Sequence, residues 1–132
     1  MNLLDENFPE DQLPQLRAWR IPVRRIGRDC ARLGVKDPDI LPLLHRLGRV
    51  TFFTLDWDFY KAPLCHPAYC LVWLDVRADD AAHFVRCFLK HPLFKTQAKR
   101  MGAVVRVHHG GLLFWQREDR ALQRTGWGQR AR

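Results

Sequence analysis

The sequence predicts an α/β fold with a central, mainly parallel sheet and a β-hairpin near its C-terminal end. Short apolar runs typical of buried strands alternate with helical patterns up to residue 75, and this order favours parallel strands joined by helices. The segment His108–Gly111 ends in two glycines between two apolar runs, which is typical of a hairpin turn. A chain of 132 residues is expected to form one domain with a substantial core.

Two short strands with a helix between them are predicted first. Asn2–Leu4 is expected to be a short buried strand, and Ile21–Ile26 an edge strand, because Pro22 cannot donate a ladder hydrogen bond. The helix between them is expected to start near Pro9 or at a cap formed by Asp11.

A second helix and a strongly apolar strand follow. Apolar residues at helical spacing over Ile40–Leu47 predict the helix, and either Asp37 or Asp39 is its expected N-cap. A cap at Asp39 places Pro42 in the first turn, where a proline costs no hydrogen bond. The other acid would then have a different role. Val50–Thr54 is β-branched and aromatic, which predicts a buried strand.

The second half of the chain is expected to add a strand, a helix and the hairpin. Tyr69–Leu74 predicts the strand, and the helix after it is expected to be capped by Asp79 or Asp80. Ala103–Val107 and Leu112–Trp115 are the predicted hairpin strands. Residues 1–116 are therefore expected to form the domain, and the arginine-rich residues 117–132 a loose basic tail.

The composition points to a polyanionic partner. The net charge is +8 and the isoelectric point is near 9.9, values that favour binding to nucleic acid or to an acidic protein. No apolar run approaches the roughly 20 residues that span a membrane. The first six residues include two acids, unlike a signal peptide, so a cytoplasmic location is expected.

The four cysteines predict neither a disulfide framework nor a zinc site. They form no CxxC pair, and Cys65, His66 and Cys70 have no fourth ligand at a spacing typical of zinc. Reduced and mostly buried thiols are expected instead, as in most cytoplasmic proteins.

Acidic side chains follow two of the predicted strands. Asp5 comes after the first strand, while Asp56 and Asp58 follow Val50–Thr54 and lie on one side of an extended segment. If the two strands are adjacent, these carboxylates meet at the carboxyl edge of the sheet, where ligands of α/β folds bind. Such a cluster favours Mg²⁺ or Mn²⁺, which prefer oxygen ligands. The alternatives are that Asp5 forms a turn or cap and that Asp58 closes an Asx turn.

Four separate motifs resemble those of the PIN-like nucleases. The small prokaryotic branch of that family opens with LLDENLP and continues with an arginine–aspartate loop, a G-x-x-D helix start and a TRDxDF motif. The corresponding segments here, in the same order and at similar spacing, are Leu3–Pro9, Arg28–Asp29, Gly34–Asp37 and Thr54–Phe59. The resemblance covers roughly residues 2–60 and does not extend to the hairpin or the tail.

The resemblance implies a PIN-like three-layer fold and Mg²⁺- or Mn²⁺-dependent endoribonuclease activity. Many members of the family are toxins of toxin–antitoxin pairs, so RNA and an antitoxin protein are the implied partners, and a homodimer is left open. The implied metal-binding and catalytic residues are Asp5, Asp37, Asp56 and Asp58. Supporting or alternative residues are Glu6, Asp39 and Thr54, whose hydroxyl could hold a carboxylate or a metal-bound water.

The chain departs from the family pattern at three positions. Leu55 stands where a basic residue is common, Phe8 replaces leucine, and Pro42 lies in the second helix. The proline affects the choice between Asp37 and Asp39 as the ligand.

Basic and aromatic residues near these motifs are candidates for holding RNA. The expected backbone contacts come from four residues: Arg24, Arg25, Arg28 and Lys61. Trp57 or Tyr60 could stack on an unpaired base, although an aromatic residue beside a strand end commonly belongs to the core.

Two other functions are compatible with parts of this pattern. A phosphorelay receiver domain also has an acid pair after its first strand and an aspartate after its third, as Asp5–Glu6 and Asp56 would be. It needs a lysine at the end of its last parallel strand, however, and Val107–His108 provides none. The second alternative is a catalytically inactive PIN-like module that binds RNA or a protein.

Overall fold

The computed structural model describes residues 1–28 and 37–128, except for the side chains of Asp37 and Arg120. Seven strands lie within these residues: β1 (Asn2–Leu4), β2 (Arg24–Arg25), β3 (Val50–Thr54), β4 (Tyr69–Leu74), β5 (Val104–His108), β6 (Gly111–Gln116) and β7 (Asp119–Thr125). The helices within them are α1 (Leu13–Ala18), α2 (Asp37–Leu47), α3 (Ala81–Lys90) and α4 (Gln97–Arg100). Short 3₁₀ turns occur at Glu10–Gln12, Trp57–Phe59, Ala62–Leu64 and Ala78–Asp80.

All seven strands belong to one mixed sheet with the order β2-β1-β3-β4-β5-β6-β7. The strands from β2 across to β5 are parallel, whereas β5, β6 and β7 are antiparallel neighbours. The parallel part therefore has the order 2-1-3-4-5, which occurs in doubly wound α/β proteins. In such sheets ligands bind outside the carboxyl ends of the strands where the order reverses, which is between β1 and β3 here.

Helices cover both faces of the sheet, as a three-layer α/β fold requires. The helices α1 and α4 are too short to be stable as isolated helices in water. Packing against the sheet, rather than local helix propensity, therefore stabilises them. The core beneath α1 and α3 includes Leu16, Phe53, Val72, Phe88 and Val105. The core beneath α2 includes Leu3, Ile40, Leu44, Phe52 and Leu71.

The predicted α/β class and mainly parallel sheet are confirmed. Val50–Thr54 and Tyr69–Leu74 are strands with the predicted bounds. The predicted hairpin is formed by β5 and β6, with Val105 opposite Phe114. The second predicted strand is shorter than Ile21–Ile26 and consists of β2 alone, at the edge that Pro22 indicates.

The expectation of a loose tail after residue 116 is wrong over Asp119–Thr125. This segment forms β7 and pairs with β6, with Leu113 opposite Arg124. Beyond the strand, the indole N–H of Trp127 donates a hydrogen bond of 3.0 Å to the carbonyl of His108. The polar and charged residues of β7 lack the apolar alternation that predicts a strand, because it lies at the edge of the sheet. Residues 129–132 lie outside the described part of the chain.

The predicted helix caps differ from those in the structure. Asp39 lies inside α2 and is not its N-cap, so Pro42 is an interior proline rather than a first-turn one. Asp11 lies within a 3₁₀ turn, and the helix after it begins at Leu13. Asp80 occupies the N-cap position of α3 without a capping hydrogen bond.

Gln12 supplies the missing contact at the start of α3. Its side-chain oxygen accepts a hydrogen bond of 3.0 Å from the amide of Ala82. A residue from the segment before α1 thus satisfies a backbone donor at the start of another helix, which local sequence patterns do not predict.

None of the helices within the described residues is long and apolar enough to cross a membrane.

Candidate functional site at the carboxyl ends of the parallel strands

The two strands that precede the acidic motifs are neighbours, as predicted. β1 and β3 run parallel with Leu4 opposite Phe53. The amide of Asp5 continues this ladder by donating a hydrogen bond of 2.9 Å to the carbonyl of Phe53. The next position on β3 is Thr54, so Asp5 and Thr54 lie side by side at the carboxyl edge, at the point where the strand order reverses.

A continuous hydrogen-bond chain connects the acids at this edge, and we call it the acid–threonine chain (Asp5, Thr54, Asp56 and Asp58). The Thr54 hydroxyl donates to Oδ2 of Asp5 over 2.7 Å. The same hydroxyl oxygen accepts the amide of Asp56 at 3.0 Å. Oδ1 of Asp56 in turn accepts the amide of Asp58 at 2.9 Å. The chain therefore fixes the end of β1 relative to the turn after β3.

The Asp5 carboxylate is held inside the protein by well-defined donors. Asp5 is only 6% exposed, and Thr54 is fully buried. In addition to the Thr54 hydroxyl, the amide of Glu6 donates to Oδ1 of Asp5 over 2.7 Å. Because a buried carboxylate is costly unless it accepts hydrogen bonds, these short contacts are required for its position.

Asp56 and Asp58 lie on the outer side of the acid–threonine chain. Asp56 is half-buried and is the N-cap of the 3₁₀ turn Trp57–Phe59 through its contact with the Asp58 amide. Asp58 itself is exposed. Phe59 is buried against Phe52 with ring centroids 5.3 Å apart, so the turn has an apolar anchor in the core. The Asx turn considered from sequence at Asp58 is thus formed by Asp56, whose carboxylate accepts the Asp58 amide.

The carboxylates at this edge do not form a complete metal site by themselves. Asp5, Asp56 and Asp58 have the oxygen ligands that Mg²⁺ and Mn²⁺ prefer. No three His, Cys, Asp or Glu side chains in the described part of the chain are grouped closely enough to hold an ion. The side chain of Asp37 lies outside the described residues, as do Asp29 and Gly34 of the two middle motifs.

The topology nevertheless places the start of α2 toward the same edge. α2 connects the carboxyl end of β2 with the beginning of β3, and both strands are parallel to β1. A connecting helix of this kind runs back along the sheet, so its first turn lies near the carboxyl ends of the strands. Asp37 is the first residue of α2, whereas Asp39 is exposed further along the helix.

Arg25 supports the loop after Asp5. Its Nη2 donates to the carbonyls of Glu6 and Phe8 over 2.8 and 2.9 Å. Its Nη1 lies 3.5 Å from a carboxylate oxygen of Glu10, and its side chain is 14% exposed. Arg25 therefore has a structural role in this loop, and its predicted contact with RNA stays a prediction. The sequence gives no sign of this role, because the acceptors are backbone carbonyls brought close by the fold.

The other predicted RNA-binding residues are more accessible. Arg24 and Lys61 are exposed. Arg28 is also exposed and forms an ion pair of 2.9 Å with Glu10. These side chains can reach a phosphate without disturbing the core, although Arg28 would have to exchange its present partner.

A further acid at the carboxyl edge is paired with an arginine. Asp75 directly follows β4, and its Oδ2 accepts Nε and Nη2 of Arg106 at 3.0 and 2.7 Å. The Arg106 guanidinium also lies 5.2 Å from the ring centroid of Trp73. Asp75 directly follows a strand, as Asp5 does, so the sequence marks both as candidate site residues. The sequence does not reveal that Arg106 is the partner of Asp75, because this contact depends on the pairing of β4 with β5.

The structure separates the roles of the two candidate stacking residues. Trp57 is 69% exposed beside the two outer acids of the acid–threonine chain, so it is not a core residue. Tyr60 is half-buried and packs against Trp73 and Trp115, with centroid distances of 5.4 and 4.6 Å. Of the two candidates, Trp57 is therefore the ring that is more accessible to solvent and ligands.

Comparisons with protein-family models, with curated proteins and with solved structures found no match to this chain. The resemblance to the PIN-like nucleases therefore rests on the four sequence motifs, two of which have residues at this edge of the sheet.

Proposed function

We propose that this chain is a Mg²⁺- or Mn²⁺-dependent endoribonuclease of the PIN-like type. The acid–threonine chain carries the proposal, because it holds two motif acids, Asp5 and Asp56, where the strand order reverses. Ligands of doubly wound folds bind at that place. A divalent ion there would supply an activated water and neutralise charge on the phosphate.

The residues of this edge have distinct roles in the proposal. Asp5 and Asp56 provide carboxylate oxygens, and the Thr54 hydroxyl keeps the Asp5 carboxylate in place. Asp58 and Asp37 would complete the ligand set, the former from the exposed turn and the latter from the start of α2. The net charge of +8 favours binding to RNA phosphates through counterion release, with Arg24 and Lys61 as exposed contacts.

An inactive module that binds RNA or an acidic protein is the second candidate. It is favoured by the lack of a three-ligand group among the described carboxylates. A receiver domain shares the strand order 2-1-3-4-5. It is disfavoured because His108 ends β5, where a receiver needs a lysine, and because a receiver has no use for the second acid, Asp58.

Asp56→Asn tests the proposal. This substitution keeps a side-chain oxygen for the Asp58 amide and removes one charge from the edge. Unstructured RNA should be cut by the wild-type protein with Mn²⁺ or Mg²⁺, and EDTA should stop the reaction. In Asp56→Asn, Mn²⁺ affinity measured by calorimetry and RNA cleavage should fall together, since the ion supplies both nucleophile and charge neutralisation.

Asp119→Asn is the matched control. Asp119 makes the same kind of turn contact, to the amide of Ala121 at 3.0 Å, but belongs to β7 at the outer edge of the sheet. Its substitution should leave both cleavage and Mn²⁺ affinity unchanged. Unchanged Mn²⁺ affinity in Asp56→Asn would falsify the metal site, and RNA that is bound but never cut would favour the inactive module.

A further inference from the structure

Arg100 is a buried cation that forms two side-chain hydrogen bonds with other described residues. It is the last residue of α4 and is 8% exposed. Its Nε donates to the hydroxyl of Thr51 and its Nη1 to the carbonyl of Phe94, each over 2.9 Å. Within the described residues, its Nη2 makes no hydrogen bond and no carboxylate pairs with it.

Among the described side chains, no carboxylate lies close enough to the Arg100 guanidinium to compensate its positive charge. Arginine is rarely buried unless an acid pairs with it, because removing a charged group from water costs several kcal/mol. The two neutral acceptors explain the orientation of the guanidinium, since they connect it to β3 and to the segment before α4. They do not balance its charge.

Arg100 lines a cleft at the amino ends of the parallel strands, which we call the Arg100 cleft. The cleft has a volume of about 290 Å³ and is lined by Met1, Asn2, Pro22, Val23, Arg24 and Arg100. None of these residues is acidic, whereas two are arginines. Asn2 begins β1 and Asp5 follows its end, so the cleft and the acid–threonine chain lie at opposite edges of the sheet.

The charge around the cleft is consistently positive. Burial lowers the pKa of the Met1 amino group, and the guanidinium groups of Arg100 and Arg49 lower it further. Burial also lowers the pKa of Arg100. The Arg100 guanidinium thus destabilises the Met1 ammonium, and an anion in the cleft would relieve this repulsion.

We propose that the Arg100 cleft binds a phosphate group, either inorganic phosphate or the phosphate of a nucleoside monophosphate. The two N–H groups of Nη2 and the guanidinium of Arg24 provide the charged donors that phosphate oxygens accept. The wall formed by Pro22 and Val23 is apolar, and a few polar groups on an apolar wall are typical of small-ligand sites. The cleft lies at the opposite edge of the sheet from the acid–threonine chain, and Arg24 is the residue that this proposal shares with the proposed RNA contacts.

The test is titration of the full chain with sodium phosphate and, separately, with a nucleoside 5′-monophosphate. At equal ionic strength, phosphate should raise the melting temperature more than sodium chloride does, because it binds only the folded state. Tighter binding of the mononucleotide than of inorganic phosphate would identify a nucleotide as the source of the phosphate. Equal affinity would identify free phosphate.

Arg100→Met and Arg24→Met locate the site. Arg100→Met should weaken phosphate binding roughly tenfold or more, the loss expected for hydrogen bonds to a charged group. If that variant does not fold, Arg24→Met gives the answer, because its side chain is exposed and its removal should also weaken binding.

Arg46→Met is the control, because Arg46 is exposed on α2 and its substitution removes the same charge elsewhere. It should bind phosphate as the wild type does. Two results would overturn the proposal: equal stabilisation by phosphate and chloride, or wild-type phosphate affinity in the cleft variants.

Discussion

The hydroxyl of Thr54 donates a hydrogen bond of 2.7 Å to Oδ2 of Asp5 across 49 residues of sequence. Both groups are buried, so this contact is made without competition from water. Because the same hydroxyl also accepts the amide of Asp56, one side chain sets the position of the acid that follows β1 and of the turn after β3. The position of Asp5 relative to the turn that contains Asp56 therefore depends on Thr54.

Replacing Thr54 by valine should destabilise the fold. Thr54→Val keeps the shape of the side chain but removes the hydroxyl that donates to the buried Asp5 carboxylate and accepts the Asp56 amide. The expected loss is roughly 1–3 kcal/mol in the free energy of unfolding, measured with urea. Thr54→Ser retains the hydroxyl and should recover most of this loss. A valine variant as stable as the wild type would show that water or a rearranged side chain replaces the contact.

Arg25 and Arg24 are adjacent in sequence and should respond very differently to substitution. Arg25→Met removes the donor to the Glu6 and Phe8 carbonyls, so it should cost roughly 1–3 kcal/mol of stability. Arg24→Met changes an exposed side chain and should stay within about 0.5 kcal/mol of the wild type. Chemical denaturation of the two variants checks this order. Equal effects would mean that the loop after Asp5 does not depend on Arg25.

The basic surplus should appear as a salt dependence of RNA binding. Affinity for unstructured RNA should fall as salt rises, with a log–log slope of about −0.7 for each phosphate contact. Lys61→Gln and Arg28→Gln should each make the slope less negative by about that amount if these exposed side chains bind phosphates. Arg46→Gln, on α2, is the control. If the affinity of the wild type for RNA does not change with salt, the positive charge would instead be explained by binding to an acidic protein partner.

Stability should decrease in mildly acidic solution because of His66. Its Nδ1 accepts the amide of Ala68 at 3.0 Å, and its ring lies 4.1 Å from that of His45. Burial, then the charges of His45 and Arg117, lower the pKa of His66. The unfolded chain therefore binds this proton at a higher pH than the folded chain does. The contribution to stability is complete above about pH 6.5 and is lost as the pH falls below that value.

Thermal melts between neutral and mildly acidic pH check this expectation. His66→Gln should reduce the decrease in melting temperature on acidification. His83→Gln, at an exposed position of α3, should keep the wild-type decrease. The same decrease in His66→Gln as in the wild type would place the pH sensitivity elsewhere.

Strands that are covered on both faces were predictable from the sequence. The strand β7, at the outer edge of the sheet, was not. Val50–Thr54 is buried throughout, so every position is apolar or β-branched and the pattern is unambiguous. Asp119–Thr125 belongs to an edge strand with mostly exposed side chains, and its charged sequence resembles that of a loop. The adjacency of β1 and β3, which places Asp5 beside Thr54, was also predictable from the alternation of strands and helices.

The partners of the site residues required the folded structure. The pairing of Asp75 with Arg106 depends on the register between β4 and β5, which places Trp73 opposite Arg106. The role of Arg25 depends on two backbone carbonyls in a distant loop. Neither contact can be identified from spacing along the sequence, because the groups involved are brought together only by the tertiary fold.

The charged composition of β7 also protects the protein from self-association. β7 covers the hydrogen-bonding edge of β6, whose apolar residues include Leu112, Phe114 and Trp115. A chain shortened after Glu118 would present β6 as an open apolar edge, which is a template for pairing with other chains and for aggregation. Loss of the C-terminal strand should therefore produce insoluble β-rich assemblies, rather than a soluble domain that only lacks positive charge.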